Sequence, residues 1–178
     1  MNYYSTKDLT VLLKKYDFMA IKCYYDNLGI LVSEVYCNDS DILLIDSKPS
    51  KIINVICELY NNDDYAYCSK KTKKIILCDK KIPILVNDEY GSIWLPFGST
   101  NNDNEGSIWL NMNFISLNPH NVLIDKKNKF IELIFQDGQK IKLDINYKNF
   151  MAKWGEGAAL KYEIDKIRKR ITTSNIYI

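Results

Sequence analysis

The sequence has a single histidine, His120, only two arginines and only five alanines among 178 residues, and no paired cysteine motif. Each shortage closes off a class of function. A Ser-His-Asp or Cys-His device would have to be built around His120, which sits in the polar turn Ser116-Leu117-Asn118-Pro119-His120, where nothing local orients its ring as a base. The five cysteines (Cys23, Cys37, Cys57, Cys68, Cys78) contain no CxxC spacing, so with one histidine the chain lacks the residue set of a zinc site. An odd count and no secretory signal argue for reduced thiols, mostly buried as small hydrophobes. The longest apolar runs are four or five residues, too short to span a membrane, and the first 18 residues interleave charge with apolar side chains, unlike a signal peptide. The expectation is a cytosolic protein. Carboxylates are plentiful but scattered. The fragment Gly155-Glu156-Gly157 follows no strand directly, has Leu160 where a third glycine would stand and lacks the Lys-Ser/Thr of a phosphate loop. It reads as a helix-breaking start of the last helix. No cofactor is implied, and the sequence does not read as an enzyme.

What is present is a strand-forming chain of one ordinary domain's length, 1–178, with no linker or repeat to divide it. Hydrophobic residues make up 47% and charged residues 26%, which excludes a disordered chain. The 24 isoleucines and 13 tyrosines favour pleated surfaces, although the same skew, with 22 lysines and 18 asparagines, is also that of an AT-rich genome. Residues 16–25 and 30–37 read as a strand pair across Asn27-Leu28-Gly29, and 42–46 as a short strand. Pro49 opens a helix whose apolar stripe is Ile52, Val55, Ile56 and Leu59, ended by Asn61-Asn62-Asp63-Asp64. From residue 75 the runs IILC, IPILV and SIWL read as strands, with 96–106 as a long polar loop after a Pro96-Phe97 bend. Residues 129–135 and 139–145 form a hairpin across Gln136-Asp137-Gly138, with Ile141, Leu143 and Ile145 inward and Lys140, Lys142 and Asp144 outward. A last helix carries a stripe of Leu160, Ile164, Ile167 and Ile171. The fold class is α+β: a mainly antiparallel sheet with one helix inserted early and a C-terminal helix.

Charge is unevenly placed. Residues 1–69 hold 6 basic against 10 acidic side chains, and residues 70–178 hold 18 against 12. The surplus concentrates in Lys70, Lys71, Lys73, Lys74, Lys80 and Lys81, and again in Lys166, Arg168, Lys169 and Arg170. Such clusters form either a nucleic-acid footprint or a plain solvated face. Trp109, Asn111 and Asn113 alternate with Ile108, Leu110, Met112 and Phe114, which puts an aromatic and two amides on one strand face. That face either contacts a partner or packs beneath the C-terminal helix.

An ordered series of short motifs carries a family resemblance over about 48–150: Lys48-Pro49, Ile52-Ile53, Cys57-x-x-Tyr60, Tyr65-Ala66, Lys81-Ile82-Pro83-Ile84-Leu85-Val86, Ile93-Trp94-Leu95-Pro96 with Ser99, Ile108-Trp109-Leu110, Ile134-Phe135 before Asp137-Gly138, and Ile145-Asn146-Tyr147-Lys148-Asn149-Phe150. In these the chain resembles the competence transcription factor ComK family of low-GC Gram-positive bacteria; residues 1–45 resemble it only in length and strand-like character. The resemblance implies a transcriptional activator of competence-type or related genes, binding AT-rich double-stranded DNA through the minor groove as a dimer or higher assembly, with RNA polymerase as a further partner and nucleoid association when bound. On that reading the charge clusters make Lys70, Lys71, Lys73 and Lys74 the leading phosphate clamps and Arg168 and Arg170, within the cluster Lys166, Arg168, Lys169 and Arg170, the groove-entering candidates, with Lys140 and Lys142 next. A narrow A-tract groove concentrates negative potential that draws in such groups. Two departures bear on these expectations. Relatives place a Gly-Arg after the Tyr-Ala pair, where this chain has Tyr67-Cys68 followed by lysines. Lysine is a more strongly hydrated and less specific groove reader, so the alternative is a relative that serves as a protein-interaction module with weakened DNA binding. Longer relatives also continue past the position of Ile178, so proteolytic adaptors are not expected here as partners.

Overall fold

A computed structural model describes residues 3–78, 81–87, 89–98, 107–117, 121–125 and 130–174, with the side chains of Asp39, Ser107 and residues 171–174 outside that description. Among the described residues, ten strands and four α-helices follow one another as β1 (Tyr3–Ser5), α1 (Leu9–Lys15), β2 (Phe18–Tyr25), β3 (Leu31–Cys37), β4 (Ile42–Asp46), α2 (Pro49–Asn61), α3 (Tyr65–Ile75), β5 (Ile84–Leu85), β6 (Ile93–Gly98), β7 (Ser107–Asn111), β8 (Val122–Asp125), β9 (Phe130–Ile134), β10 (Lys140–Leu143) and α4 (Tyr147–Ser174). The fold is α+β. Seven strands form one sheet in the order β1-β4-β3-β2-β7-β6-β5, antiparallel throughout except for the parallel β1–β4 pair. Three form a second antiparallel sheet, β10-β9-β8. No described helix is long and apolar enough to cross a membrane.

The period of two along the central strands builds two cores, one on each face of the large sheet. Ile93, Leu95 and Phe97 of β6 and Ile108 and Leu110 of β7 point to one face, where Ile131, Leu133, Ile141 and Leu143 of the small sheet and Phe150, Leu160 and Ile164 of α4 cover them. Trp94 and Trp109 point to the other, beneath Leu9, Leu12 and Leu13 of α1, Ile52, Ile53, Ile56 and Cys57 of α2 and Cys68 of α3. With both faces covered, the central strands read as nearly continuous apolar runs. Of the two alternatives for the Trp109 face, exposed contact or packing beneath a helix, the structure shows packing. Trp94 and Trp109 are 2% and 3% accessible and Asn111 is buried with them. The cover is the α1–α3 layer, where Trp109 meets Tyr65 edge-on at 5.7 Å, and not the C-terminal helix. Both indole N–H groups are buried without a hydrogen-bond partner among the described residues, each at a cost of about 1–3 kcal/mol.

Several elements fall where the pattern places them. The 26–30 turn has Gly29 at φ 74°, and α2 starts at Pro49 and is capped by Asn62 in the left-handed region. The 135–139 hairpin turns at Gly138, with Ile141, Leu143 and Ile145 buried and Lys140, Lys142 and Asp144 exposed. Others differ. The buried face of α2 is Ile52, Ile53, Ile56 and Cys57, rotated from the expected stripe, because α1 and α3 adjoin it as well as the sheet, while Val55 and Leu59 are only partly buried. IILC is not a strand: Ile75 ends α3, the Ile76 N–H donates to the Thr72 carbonyl, and Leu77 is exposed. IPILV contributes only the two-residue edge strand β5. Pro96-Phe97 does not bend, because Pro96 lies in register with Trp109 inside β6. The proline is tolerated there because the described part of β5 pairs only with Ile93 and Trp94, leaving one side of β6 open at Pro96. Met112–Phe114 forms a 3-10 turn, so the alternation along β7 stops at Asn111.

The last helix starts earlier than expected, at Tyr147, and runs through Gly155-Glu156-Gly157 without interruption. A β-carbon on Gly157 would stand 2.6 Å from Leu95 Cδ2 and crowd the Met112 sulfur, so this glycine lets α4 approach β6 closely and does not break the helix. The expected stripe ends at Ile164. Ile167 is 45% exposed, since beyond Ile164 no described side chain of α4 is buried, and the Ile171 side chain lies outside the described residues.

Candidate nucleic-acid interface

The Lys70–Lys74 cluster belongs to α3, a helix that its own sequence stabilises weakly. The Asp64 side chain caps its start by accepting the Tyr67 N–H at 2.7 Å, and Lys73 and Lys74 lie at its C-terminal end, where the helix dipole favours cations. Burying Cys68 and Thr72, one turn apart, against the rest of the protein leaves Lys70, Lys71, Lys73 and Lys74 all exposed. Tyr67, 55% exposed, shares the outer stripe with Lys70, Lys71 and Lys74 at the i, i+3, i+4, i+7 spacing. Position 68, where the resemblance places an arginine, is buried, and burial with the neighbouring Cys68 thiol pushes the Cys57 thiol's pKa up. None of the five cysteines is in a disulfide, and Cys37, Cys57 and Cys68 are buried.

The second cluster occupies the part of α4 that has outrun the core. Lys166, Arg168, Lys169 and Arg170 are exposed. Lys166 lies 3.5 Å from Glu163 and 6.0 Å from the centre of the Tyr162 ring, itself 67% exposed. The helix thus presents Tyr162, Lys166, Lys169 and Arg170 outward, an aromatic followed by cations as on α3. Arg168 has a different setting. Its guanidinium rests on the Gly91 turn, so close that a β-carbon there would stand 2.9 Å from Nη2. Arg168 also lines a cavity of about 320 Å³ between α4 and the Tyr90-Gly91 turn, with Lys161, Asp165 and Asn113 among the other walls. Lys161 stands outside the KIRKR run, and its i, i+7 relation to Arg168 was the signal that joins the two on one helix face.

The two clusters ride on adjoining helices. α3 contacts both α4 and β5, and α4 lies on β6, so both flank the β5–β6 end of the large sheet. Lys140 and Lys142 are on β10 in the small sheet, away from that end. Lys140 pairs with Glu132 at 3.4 Å, and Lys142 Nζ sits 3.9 Å from the centre of the Phe130 ring. Lys81 lies over Gly98, and its carbonyl accepts a hydrogen bond from Lys153 at 2.7 Å. His120 and Lys80 fall outside the described residues. Among the described residues no three His, Cys, Asp or Glu side chains gather as metal ligands.

Set against models of known protein families, residues 12–169 match the one described as ComK protein, reaching further toward both ends than the 48–150 series of motifs. No curated protein and no solved structure matches the chain.

Proposed function

This chain belongs to the ComK family of competence-type transcription factors, and from that premise we propose that it is a regulator, and not an enzyme, that binds AT-rich duplex DNA through the minor groove and activates transcription as a homo-oligomer. The observation that carries the reading is that α3 and α4, the helices bearing the two exposed basic clusters, touch each other at one end of the sheet. Lys70, Lys71, Lys73 and Lys74 contact phosphates, while Arg168 and Arg170, with Lys166 and Lys169 beside them, serve the groove, whose A·T and G·C patterns differ by the guanine amino group. Counterion release supplies much of the affinity. RNA polymerase is the further partner this role requires of an activator. A gel shift on AT-rich and GC-rich duplexes at two salt concentrations tests it: the expected result is an AT preference and binding that weakens as salt rises. Equal binding to both duplexes, or binding indifferent to salt, overturns it.

One observation favours a second reading, a protein-interaction module with weakened DNA contacts. The residue at position 68 is a buried cysteine, so the exposed cations of α3 are lysines alone. Capture of a defined protein partner without DNA, together with a failed gel shift, would favour that reading.

A further inference from the structure

On the face of the large sheet opposite α4, the end of α1, the start of β2, α2 and the Glu89-Tyr90 turn enclose a cavity of about 270 Å³, the room of about nine waters. Its interior is aromatic. Phe18 and Trp94 are buried in its wall, and Tyr16, Tyr60 and Phe114 are partly buried around them. Its mouth is charged and of mixed sign. Lys14 from the last turn of α1 stands there with Asp17 and Glu89. Lys14 and Glu89 are exposed and form no ion pair with each other or with any other described residue. The Asp17 carboxylate already accepts from the Asn38 amide at 3.3 Å.

We propose that this cavity is a binding site for a small zwitterion with an apolar, preferably aromatic body, of the size of a free aromatic amino acid. The aromatic wall takes the ring, where offset and edge contacts add to burial. The ammonium group goes to Glu89, and the carboxylate goes to Lys14. A plain amine would meet Lys14 as a like charge, and a plain carboxylate would meet Glu89 and Asp17. Only a ligand carrying both charges pairs with both Lys14 and Glu89. The volume lies just below the usual range for ligand cavities, which sets the upper size of the occupant. The site is independent of the DNA reading, since none of the basic cluster residues lines it.

Isothermal titration of the full chain with L-phenylalanine, phenethylamine and 3-phenylpropionate tests the assignment. Phenylalanine should bind at least tenfold more tightly than either singly charged analogue. Glu89→Gln should cost phenylalanine and phenethylamine about tenfold each and leave phenylpropionate unweakened. Lys14→Ala should do the converse, weakening phenylalanine and phenylpropionate alone. Both residues are exposed, so an unchanged thermal midpoint of the unliganded variants confirms that the fold is intact. Absence of binding by all three probes, a singly charged analogue binding as well as phenylalanine, or insensitivity to both substitutions overturns the proposal. A chain that binds phenylalanine yet fails the gel shift overturns the DNA reading and leaves this site standing.

Discussion

The guanidinium of Arg168 lies on the backbone of Gly91, within 2.9 Å of where a β-carbon would be. A basic side chain at the otherwise uncovered end of α4 is therefore positioned by a turn 77 residues earlier in sequence, and that turn favours glycine, since Gly91 has φ 59°. Gly91→Ala should destabilise the protein by about 1–2 kcal/mol through the left-handed backbone alone, because the flexible arginine yields to the new methyl group. Gly29→Ala, at φ 74° with nothing within 4 Å, should cost the same in urea unfolding. Only Gly91→Ala should also weaken binding to AT-rich duplex, and in an Arg168→Ala background it should weaken it no further. A Gly29→Ala variant that loses DNA binding equally would show that the Arg168 pose is irrelevant to it.

The two glycines of the last helix should respond in opposite directions. Gly155 has nothing within 4 Å of its β-carbon position, so Gly155→Ala should stabilise by about 0.5–1 kcal/mol, the difference in helix propensity. Gly157→Ala makes the same gain but drives a methyl group into Leu95 and Met112. Overpacking of that kind costs about 1–3 kcal/mol, so the net effect should be a loss. Urea midpoints that rise for both variants would mean that α4 sits further from β6 than described here.

Much of the fold was legible because periodicity and turn chemistry agree in it. The 26–30 and 135–139 hairpins, β4 and the Pro49 start of α2 each combine an apolar pattern with a residue suited to the turn or first helical turn. Legibility failed where tertiary context decides. The stretch that forms α3 buries only Cys68 and Thr72, too thin a stripe to register against four lysines. On β7 the alternation of Trp109 with Ile108 and Leu110 marks two faces, but sequence alone does not reveal that both are covered, one by the α1–α3 layer and the other by the small sheet and α4. Gly155-Glu156-Gly157 looks like a break until Leu95 is seen beneath it. The basic clusters were visible as composition; that the helices bearing them adjoin, and that Arg168 leans on Gly91, depends on chain crossings that no local pattern encodes.

The basic residues should separate by their contribution to salt dependence. Each phosphate contact contributes about one unit to the slope of log K against log salt. Lys70→Ala with Lys74→Ala should therefore lower that slope by about two and weaken AT-rich and GC-rich duplexes alike. Arg168→Ala with Arg170→Ala should chiefly erase the preference for AT-rich DNA. Lys140→Ala with Lys142→Ala should do less than either, since Glu132 and the Phe130 ring already engage those two lysines. The measurement is fluorescence anisotropy over a salt series, and a Lys140/Lys142 effect as large as that of α3 would relocate the interface to the small sheet.

Alkaline conditions should weaken the fold progressively, because its buried acids resist ionisation. Burial, aided by the Glu34 carboxylate that accepts from the phenol at 3.4 Å, pushes Tyr36 from about 10 up to about 12. Burial likewise raises Tyr65 and the Cys37 and Cys57 thiols. In the unfolded chain these groups lose their protons near 9 for thiols and 10 for phenols, whereas the folded chain keeps them. The unfolded state then binds fewer protons, so stability falls as pH rises. The loss should begin near pH 9 with the thiols, steepen above 10, and continue to about 12, where folded Tyr36 itself ionises. Tyr36→Phe removes one of these groups and should flatten the decline between pH 10 and 12 while leaving the onset near 9 in place. Urea midpoints measured from pH 7 to 11.5 read this directly, and a midpoint constant to pH 11 would mean that Tyr36 and the two thiols are open to water in the folded protein.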